Sequence, residues 1–376
     1  TGNYLQITNS LTLNGDIRLV GNAQIIQTHT GGNQVTGTGD LYIDQASSIA
    51  TANSIYRYTY WSSPVVNTQG DTTYTVANVM KDGTTATSAL GGVSEAQNIN
   101  FISYTGSITT ANGSPTNPIT IANYWIHTYT DGYDNSGFTQ QLDNGNIDVG
   151  LGYLMKGSGS PTGQNFTFVG LPNDGTININ ITNTNDNNNI IGNPYPSAID
   201  ANQFMLDNSS IIKQEIYFWQ HKGEATPSDG HNQSGYIGGY TVLNRLTGVG
   251  AIQPGLDSGG TGVFTYDAPG NYIPVGQGFL VTAENTGNIV FQNSQRAYQS
   301  LRTDTPSGDS FFFGRTASRD DDDDDDDDDE TPILRLGFEH TNLSGIELHR
   351  QIVVGFKEDL SFGYDNGFDS RMYDSR

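Results

Sequence analysis

The first 55 residues alternate apolar and polar positions in short runs that Gly and Asn interrupt. Over residues 11–27 the apolar positions are Leu11, Leu13, Ile17, Leu19, Ala23 and Ile25, and the pairs Asn14-Gly15 and Gly21-Asn22 fall between runs. The pattern continues through Val35, Leu41 and Ile43. Alternation with period two marks strands. Asn-Gly marks a tight turn, because its centres must accept positive φ. Short strands joined by such corners suit a β-solenoid, in which each coil stacks on the next. The pattern predicts a short solenoid or strand-ladder end over 1–55.

From residue 56 to residue 300 short aromatic-rich runs recur: YRYTYW (56–61), ANYWIHTYT (122–130), GYLMKG (152–157), NFTFVG (165–170), EIYFWQH (215–221), GVFTY (262–266), QGFLVTA (277–283) and IVFQNS (289–294). Clusters of Gly, Asn, Asp, Pro and Ser separate them. Many short strands without a long helical period predict a β-sandwich, jelly-roll-like. One short helix is expected at 197–207, with Ser197 as its cap and Ala198, Ala201 and Phe204 on its inner face. Asn193-Pro194-Tyr195-Pro196 reads as a prolyl-stiffened turn with one bond a candidate for cis. Gly276-Gln277-Gly278 reads as a bulge or a close backbone approach. Residues 301–331 read as an acidic disordered linker, since the unbroken run Asp320 to Asp329 repels itself and cannot pack. A perfect homopolymer also raises the reading that this run is not natural sequence. Residues 332–376 begin a partial further β unit, with strands at 333–340 and 348–358. The fold class is therefore all-β.

Composition narrows the function. Of 376 residues, 40 are acidic and 16 basic, for a net charge of −24. Such a surface cannot neutralise a phosphate backbone, which argues against nucleic acid. No apolar run approaches the roughly 20 residues of a membrane-spanning helix. Cys is absent, which removes disulfides, thiol catalysis and Cys-ligated metal. Glu numbers 8 and Lys 5, so straight-chain helix formers are scarce and Asn, Thr, Ser and Gln supply the polar surface. This is the composition of an extracellular β protein. No secretory leader is visible at Thr1, which fits a cleaved leader or a fragment.

Sites with chemistry are thin. There is no GxSxG elbow, Walker A loop, HExxH helix or EF-hand loop. The loop HKGEATPSDGH brings His221, Glu224, Asp229 and His231 into one segment, but the spacing fits no short metal template and a polar surface loop explains it better. Asp131, Asp134, Asp186, Asp365 and Asp369 are hard-oxygen candidates for calcium, and are also ordinary turn formers. No other cofactor is expected. Trp61, Trp125 and Trp219 are weak candidates for stacking on sugar rings, although core packing is the commoner fate of a strand Trp.

The order of motifs carries a resemblance. YRYTYWSSPVV (56–66), GNPYPSAIDANQF (192–204), IYFWQH (216–221), YIPVGQGFLVTA (272–283), IVFQNSQR (289–296), ILRLGFEHTNLSGIELHRQIVVGF and YDNGFDS together resemble the C-terminal region of large surface and secreted proteins that Bacteroidota-type bacteria export through the type IX secretion system. The resemblance implies export, an extracellular or cell-surface location, transient contact with that secretion machinery, and the adhesive or filament-forming roles of many such proteins. It implies no reaction. The chain departs from the pattern where Asp320 to Asp329 stands for a mixed polar linker, and where it stops at Arg376 soon after YDNGFDS. Asp71-Thr72-Thr73 is similar to the Asp-Ser/Thr-x glycosylation sites of that phylum. The expectation is a non-enzymatic structural or adhesive surface protein that forms a fibre or surface layer with copies of itself or other surface proteins. The alternative is a carbohydrate-binding module of a secreted polysaccharide-degrading protein, and a secreted glycan lyase or hydrolase is a third reading.

Overall fold

The structure is a computed structural model that describes residues 4–47, 56–83, 96–160, 164–184, 187–224, 236–246, 248–249, 269–299, 332–341, 347–357, 360–361 and 363–370. Strand accounts for 47% and helix for 9%, which makes the fold all-β. The Asp320 to Asp329 run, Asp186, Asp229 and His231 lie outside the described residues.

The chain opens with two coils of a β-solenoid. Strands β1 (Tyr4–Ile7), β2 (Leu11–Leu13) and β3 (Ile17–Leu19) form the first coil. Strands β4 (Gln24–Gln27), β5 (Val35–Gly37) and β6 (Leu41–Ser47) form the second. Each strand pairs in parallel with its counterpart, so that Tyr4 faces Gln24, Leu11 faces Val35 and Ile17 faces Leu41. The sequence repeats accordingly, with Leu11-Thr12-Leu13-Asn14-Gly15-Asp16 stacked on Val35-Thr36-Gly37-Thr38-Gly39-Asp40. Leu13, Leu19, Ile25, Val35, Leu41 and Ile43 fill the interior. The corners stack so closely that only Gly fits. A Cβ on Gly39 would lie 2.4 Å from the Gly15 carbonyl oxygen, and one on Gly37, at φ +121°, would lie 2.0 Å from that of Leu13.

The second coil is sealed by the rest of the chain. Strand Gln164–Pro172 pairs antiparallel with β6 along its whole length, and Met80–Asp82 and Gln97–Asn98 extend that sheet. The parallel ladder thus becomes an antiparallel sheet, and the solenoid core runs on through Trp61, Phe166 and Phe168. The expected sandwich takes the form of small sheets around three apolar clusters. A four-stranded sheet has the order Phe138–Gln140, His127–Tyr129, Tyr153–Lys156, Tyr58–Trp61. A five-stranded sheet has the order Asn188–Gly192, Gly278–Ala283, Ile212–Glu224, Tyr236–Asn244, Gly248–Val249. Tyr60 and Tyr129 from the first meet Ile190, Tyr217 and Leu280 from the second. The two sheets also meet at single bridges, Trp61 to Gln277 and Leu151 to Ile191. Gly278 permits this approach, since a Cβ there would lie 2.8 Å from the Trp61 carbonyl oxygen.

Two local expectations need correction. The helix spans Ala201–Asp207 and is capped by Asp200, whose carboxylate accepts from the Gln203 amide at 3.0 Å. Ser197 does not cap it, because the Ser197 hydroxyl accepts from Arg296 Nε at 3.0 Å and Ala198–Asp200 is a strand. Neither proline bond of Asn193-Pro194-Tyr195-Pro196 is cis; the cis bond among the described residues is Asn117-Pro118. The turn is instead held by Asn193 Nδ2, which donates to the carbonyls of Ser197, Ile273 and Pro274.

At the far end Ile333–Thr341 and Glu347–Gly355 form a hairpin. The segment after it latches onto the five-stranded sheet, with the Arg245 amide donating to Gly367 at 2.7 Å and the Gln214 amide to the Asn366 side chain at 2.9 Å.

The close corner stacking makes a mutational contrast. Gly39→Ala is expected to lower stability by about 1–3 kcal/mol, because backbone must move. Gly32→Ala, where a Cβ meets nothing within 4 Å, should stay within about 0.5 kcal/mol. Urea unfolding of both variants checks the pair; equal effects would mean that the corners are not in contact.

Candidate functional site

The packing around each ring decides the fate of the three Trp residues. In Tyr58–Trp61, Trp61 falls on the inner face opposite Tyr153. It is 1% exposed, edge-on to Phe166 at 5.1 Å and Phe168 at 6.1 Å. Trp61 is a core residue and cannot stack on a sugar. Trp219 is half-buried and stands opposite Tyr240, with ring centroids 5.2 Å apart. The Tyr240 hydroxyl shares a 2.6 Å hydrogen bond with that of Tyr60. Trp219 therefore belongs to the seam between the two sheets.

Trp125 sits elsewhere. It follows strand Thr120–Ala122 in a short 3-10 turn, and its Nε1 donates to the Ala111 carbonyl at 2.7 Å. The Lys156 ammonium lies 5.4 Å from the Trp125 ring and 5.1 Å from that of Tyr56, and donates to Asn112 Oδ1 at 2.5 Å. Lys156 is fully buried, so these rings and the amide hold its charge in place of water. Outside this buried cation an aromatic band reaches the surface. Tyr104 and Tyr124 lie 5.0 Å apart, Tyr124 and His127 6.2 Å, His127 and Phe138 6.2 Å, and Phe138 and Tyr129 4.6 Å. Composition alone does not reveal this band, because Tyr104 and Phe138 are far apart in sequence and only the register of Tyr129 opposite Phe138 joins them. Burial pushes the His127 imidazole below its ordinary 6.5, against a smaller upward effect of its hydrogen bond with the Trp125 backbone.

The densest group of ionisable side chains is buried at the junction of solenoid and body. His29 Nε2 lies 2.6 Å from Asp174 Oδ2, which also accepts from the Gln34 amide at 2.9 Å. Asp174 Oδ1 accepts from Asn293 at 3.1 Å and lies 3.7 Å from Arg296 Nη1. The Arg296 guanidinium, wholly buried, donates to the Ile25 carbonyl at 2.5 Å, Gln27 Oε1 at 3.0 Å, Ser197 Oγ at 3.0 Å and Asn293 Oδ1 at 3.1 Å. It lies over the Tyr195 ring at 4.7 Å. Burial lowers its pKa to about 10, with Tyr195 and Asp174 opposing. Burial likewise raises the Tyr195 phenol, although the neighbouring Arg296 charge lowers it. A His–Asp pair suggests acid–base work, but that requires a ring nitrogen directed at a reacting group. Here Nε2 faces the carboxylate and Nδ1 faces the Thr30 carbonyl at 3.4 Å. The cluster is a joint between elements.

Three of the described calcium candidates take local donors. Asp134 accepts from the Ser136 amide at 2.8 Å. Asp365 accepts from the Ser361 amide at 2.6 Å and Asp369 from the Asp365 amide at 2.8 Å. Each of these closes a turn, as Asp does where it bonds nearby backbone. Asp131, at φ +47°, instead accepts from Asn187 at 2.8 Å and from Thr184 at 3.3 Å, which tie its loop to a distant segment.

A family model described as a domain of unknown function (DUF8693) matches residues 93–376. The chain belongs to the DUF8693 family. No curated protein and no solved structure matches the chain. The DUF8693 segment contains Trp125, the aromatic band and three parts of the buried joint, Asp174, Tyr195 and Arg296. The solenoid coils precede it, so His29, Ile25 and Gln27 are what the joint grips from outside the segment.

Two predictions follow from this geometry. Arg296→Met leaves Asp174 buried without its cation and is expected to cost about 3–5 kcal/mol; chemical denaturation measures it, and a loss below about 1 kcal/mol would remove the joint's structural role. For His127 the folded-state pKa lies below the ordinary value, so the unfolded chain binds its proton more tightly. Its neutral form favours the fold above pH 6.5, and that contribution falls as pH drops from there toward the folded-state pKa. Tm of wild type relative to His127→Gln is therefore expected to fall between about pH 7.5 and about pH 5.

Proposed function

We propose that the chain is a non-enzymatic structural or adhesive protein of an extracellular bacterial surface, exported by the type IX route its motifs resemble. The parallel ladder of the two coils carries the reading, because its edge strands can take a matching strand from any chain that supplies one. Among the described residues β1, β2 and β3 pair on one side only, with the second coil. Tyr4 and Leu5 there are 49% and 47% exposed. A row of backbone donors and acceptors beside exposed apolar side chains is a template for strand addition. The partner is a second copy or another surface β protein. The buried joint supports this assignment, because it fixes the coils to the body and lets tension on the open coil pass into the core. The polar side chains within the body serve packing and turns, and no reaction is assigned to them.

Light scattering and electron microscopy of the natively purified chain test the reading. Association that grows with concentration, or regular fibres, is expected. Leu5→Lys combined with Thr12→Lys should suppress it at unchanged Tm, since edge charges repel an added strand. Monodisperse monomers at every concentration would overturn the assembly role. Incubation with common polysaccharides is expected to release no reducing ends, and turnover of any of them would overturn the non-enzymatic assignment.

A further inference from the structure

The aromatic band on the four-stranded sheet has no part in strand addition and is built differently from the rest of the surface. Tyr104, Tyr124 and Phe138 are 40%, 38% and 38% exposed. Tyr133, in the connection between strands His127–Tyr129 and Phe138–Gln140, is exposed as well. Among the described side chains, the large apolar ones exposed between Gln97 and Asp148 are thus all aromatic. Elsewhere the exposed set is mixed with aliphatics, as at Leu206, Leu334, Leu336 and Val354. A surface shaped for a protein helix or sheet would use branched aliphatics to fill holes. Aromatic rings offer a flat apolar face with a polar edge instead.

Charge supplies the second observation. From Ala96 to Thr130 the sequence has no Asp, Glu, Lys or Arg, in a chain whose net charge is −24. The nearest cation, Lys156, is buried beneath Trp125. His127 is held toward its neutral form by burial. The groups flanking the rings are hydroxyls and amides, with two carboxylates held by local donors, Asp143 by Asn123 at 2.6 Å and Asp134 by the Ser136 amide at 2.8 Å. Thr105, Ser107 and Thr110 hydrogen-bond to one another beside Tyr104, and Gln140 Nε2 donates to the Tyr124 carbonyl at 2.9 Å. The track is therefore complementary to a ligand that carries no charge, has apolar faces and bears many hydroxyls.

It is also elongated. Tyr104 follows strand Asn100–Ile102, and Tyr124 and His127 lie on and after the 3-10 turn Asn123–Trp125. Phe138 begins the edge strand of the four-stranded sheet. Successive ring centroids are spaced 5.0, 6.2 and 6.2 Å with planes turned by 59°, 79° and 87°, so the rings pack edge against face and brace one another along the band. The framework behind them is fixed by the Trp125–Ala111 hydrogen bond and the Lys156–Asn112 contact, so the rings are positioned before a ligand arrives.

We propose that Tyr104, Tyr124 and Phe138, braced by His127, form a binding track for a neutral polysaccharide chain, with sugar faces resting on the exposed rings and sugar hydroxyls met by the flanking polar side chains. The track deepens the adhesive half of the proposed function by naming its target, and it does not depend on the open coil. A chain that stays monomeric can still hold a glycan, and a chain that forms fibres can lack this site.

Native affinity electrophoresis of the full chain in gels that contain a mixed-linkage β-glucan, a xylan, a galactomannan or an α-mannan tests it. Retardation by at least one of these is expected, largely unchanged by added salt. Tyr124→Ala and Phe138→Ala should each weaken retention by about tenfold, the loss of one aromatic contact. Tyr124→Phe keeps the ring and should retain binding, and Leu206→Ala, an exposed apolar change elsewhere, should have no effect. Should an alanine variant lose Tm, the wild-type chain still reports, because a bound glycan beside Trp125 shifts Trp fluorescence. No retardation and no fluorescence change with any of the four glycans overturns the proposal. So does retention that survives both alanine changes in folded protein, or a change of oligomeric state in those variants without any glycan effect.

Discussion

The buried Arg296–Asp174 pair is the constraint on which the rest of this fold depends. Two coils of a solenoid expose nearly as much as they bury, and such arrays need a neighbour at each end. Here the neighbour is a body of small sheets; besides the ladder between β6 and Gln164–Pro172, one guanidinium ties the two together, reaching Ile25 and Gln27 on the coil and Ser197 and Asn293 on the body. A buried cation costs desolvation unless each donor has a partner and the charge an anion. Arg296 meets both conditions only when coil and body are docked. The same group that would be costly in a separated state thus makes docking specific.

The second coil shows how the chain leaves a parallel architecture. β6 accepts a parallel partner on one side and the antiparallel strand Gln164–Pro172 on the other. This closes the edge that would otherwise template further pairing. The first coil has no such cover among the described residues, and the contrast between the two ends underlies the assembly proposed above.

Local signals made the solenoid legible. Asn14-Gly15, Gly21-Asn22 and the alternating Leu and Ile positions predict its corners and interior, because a stacked coil demands both at fixed places. The joint was not legible. His29 and Asp174, or Ile25 and Arg296, are brought together from distant parts of the chain, and each alone reads as an ordinary polar residue. Trp61, a weak sugar-platform candidate for which core packing was the commoner fate, could not be separated from Trp125 and Trp219 by sequence for a related reason. Strand Tyr58–Trp61 is buried on both faces, with Tyr60 and Trp61 in different apolar clusters, so alternation separates the two rings without showing what either meets. Phe166 and Phe168, from a strand far along the chain, decide it. The helix start failed at Ser197 because a tertiary contact with Arg296 took the hydroxyl that local spacing assigned to a cap. The aromatic band needed cross-strand register, which motif order does not supply.

The two coils are not of equal length. The connection 28–34 in the second coil is longer than its counterpart 8–10 in the first, and the extra chain carries His29 and Gly31 outward to Asp174 and to the Thr176 amide. The repeat is broken only where the body attaches. Seen from the other side, the regular coil meets the body through the Tyr4–Tyr298 stack and the Arg18–Thr167 hydrogen bond, and a further coil laid on it would touch mainly its neighbour. Attachment and extension are therefore separable properties of this solenoid: its reach could change coil by coil while the seat that anchors it stayed the same.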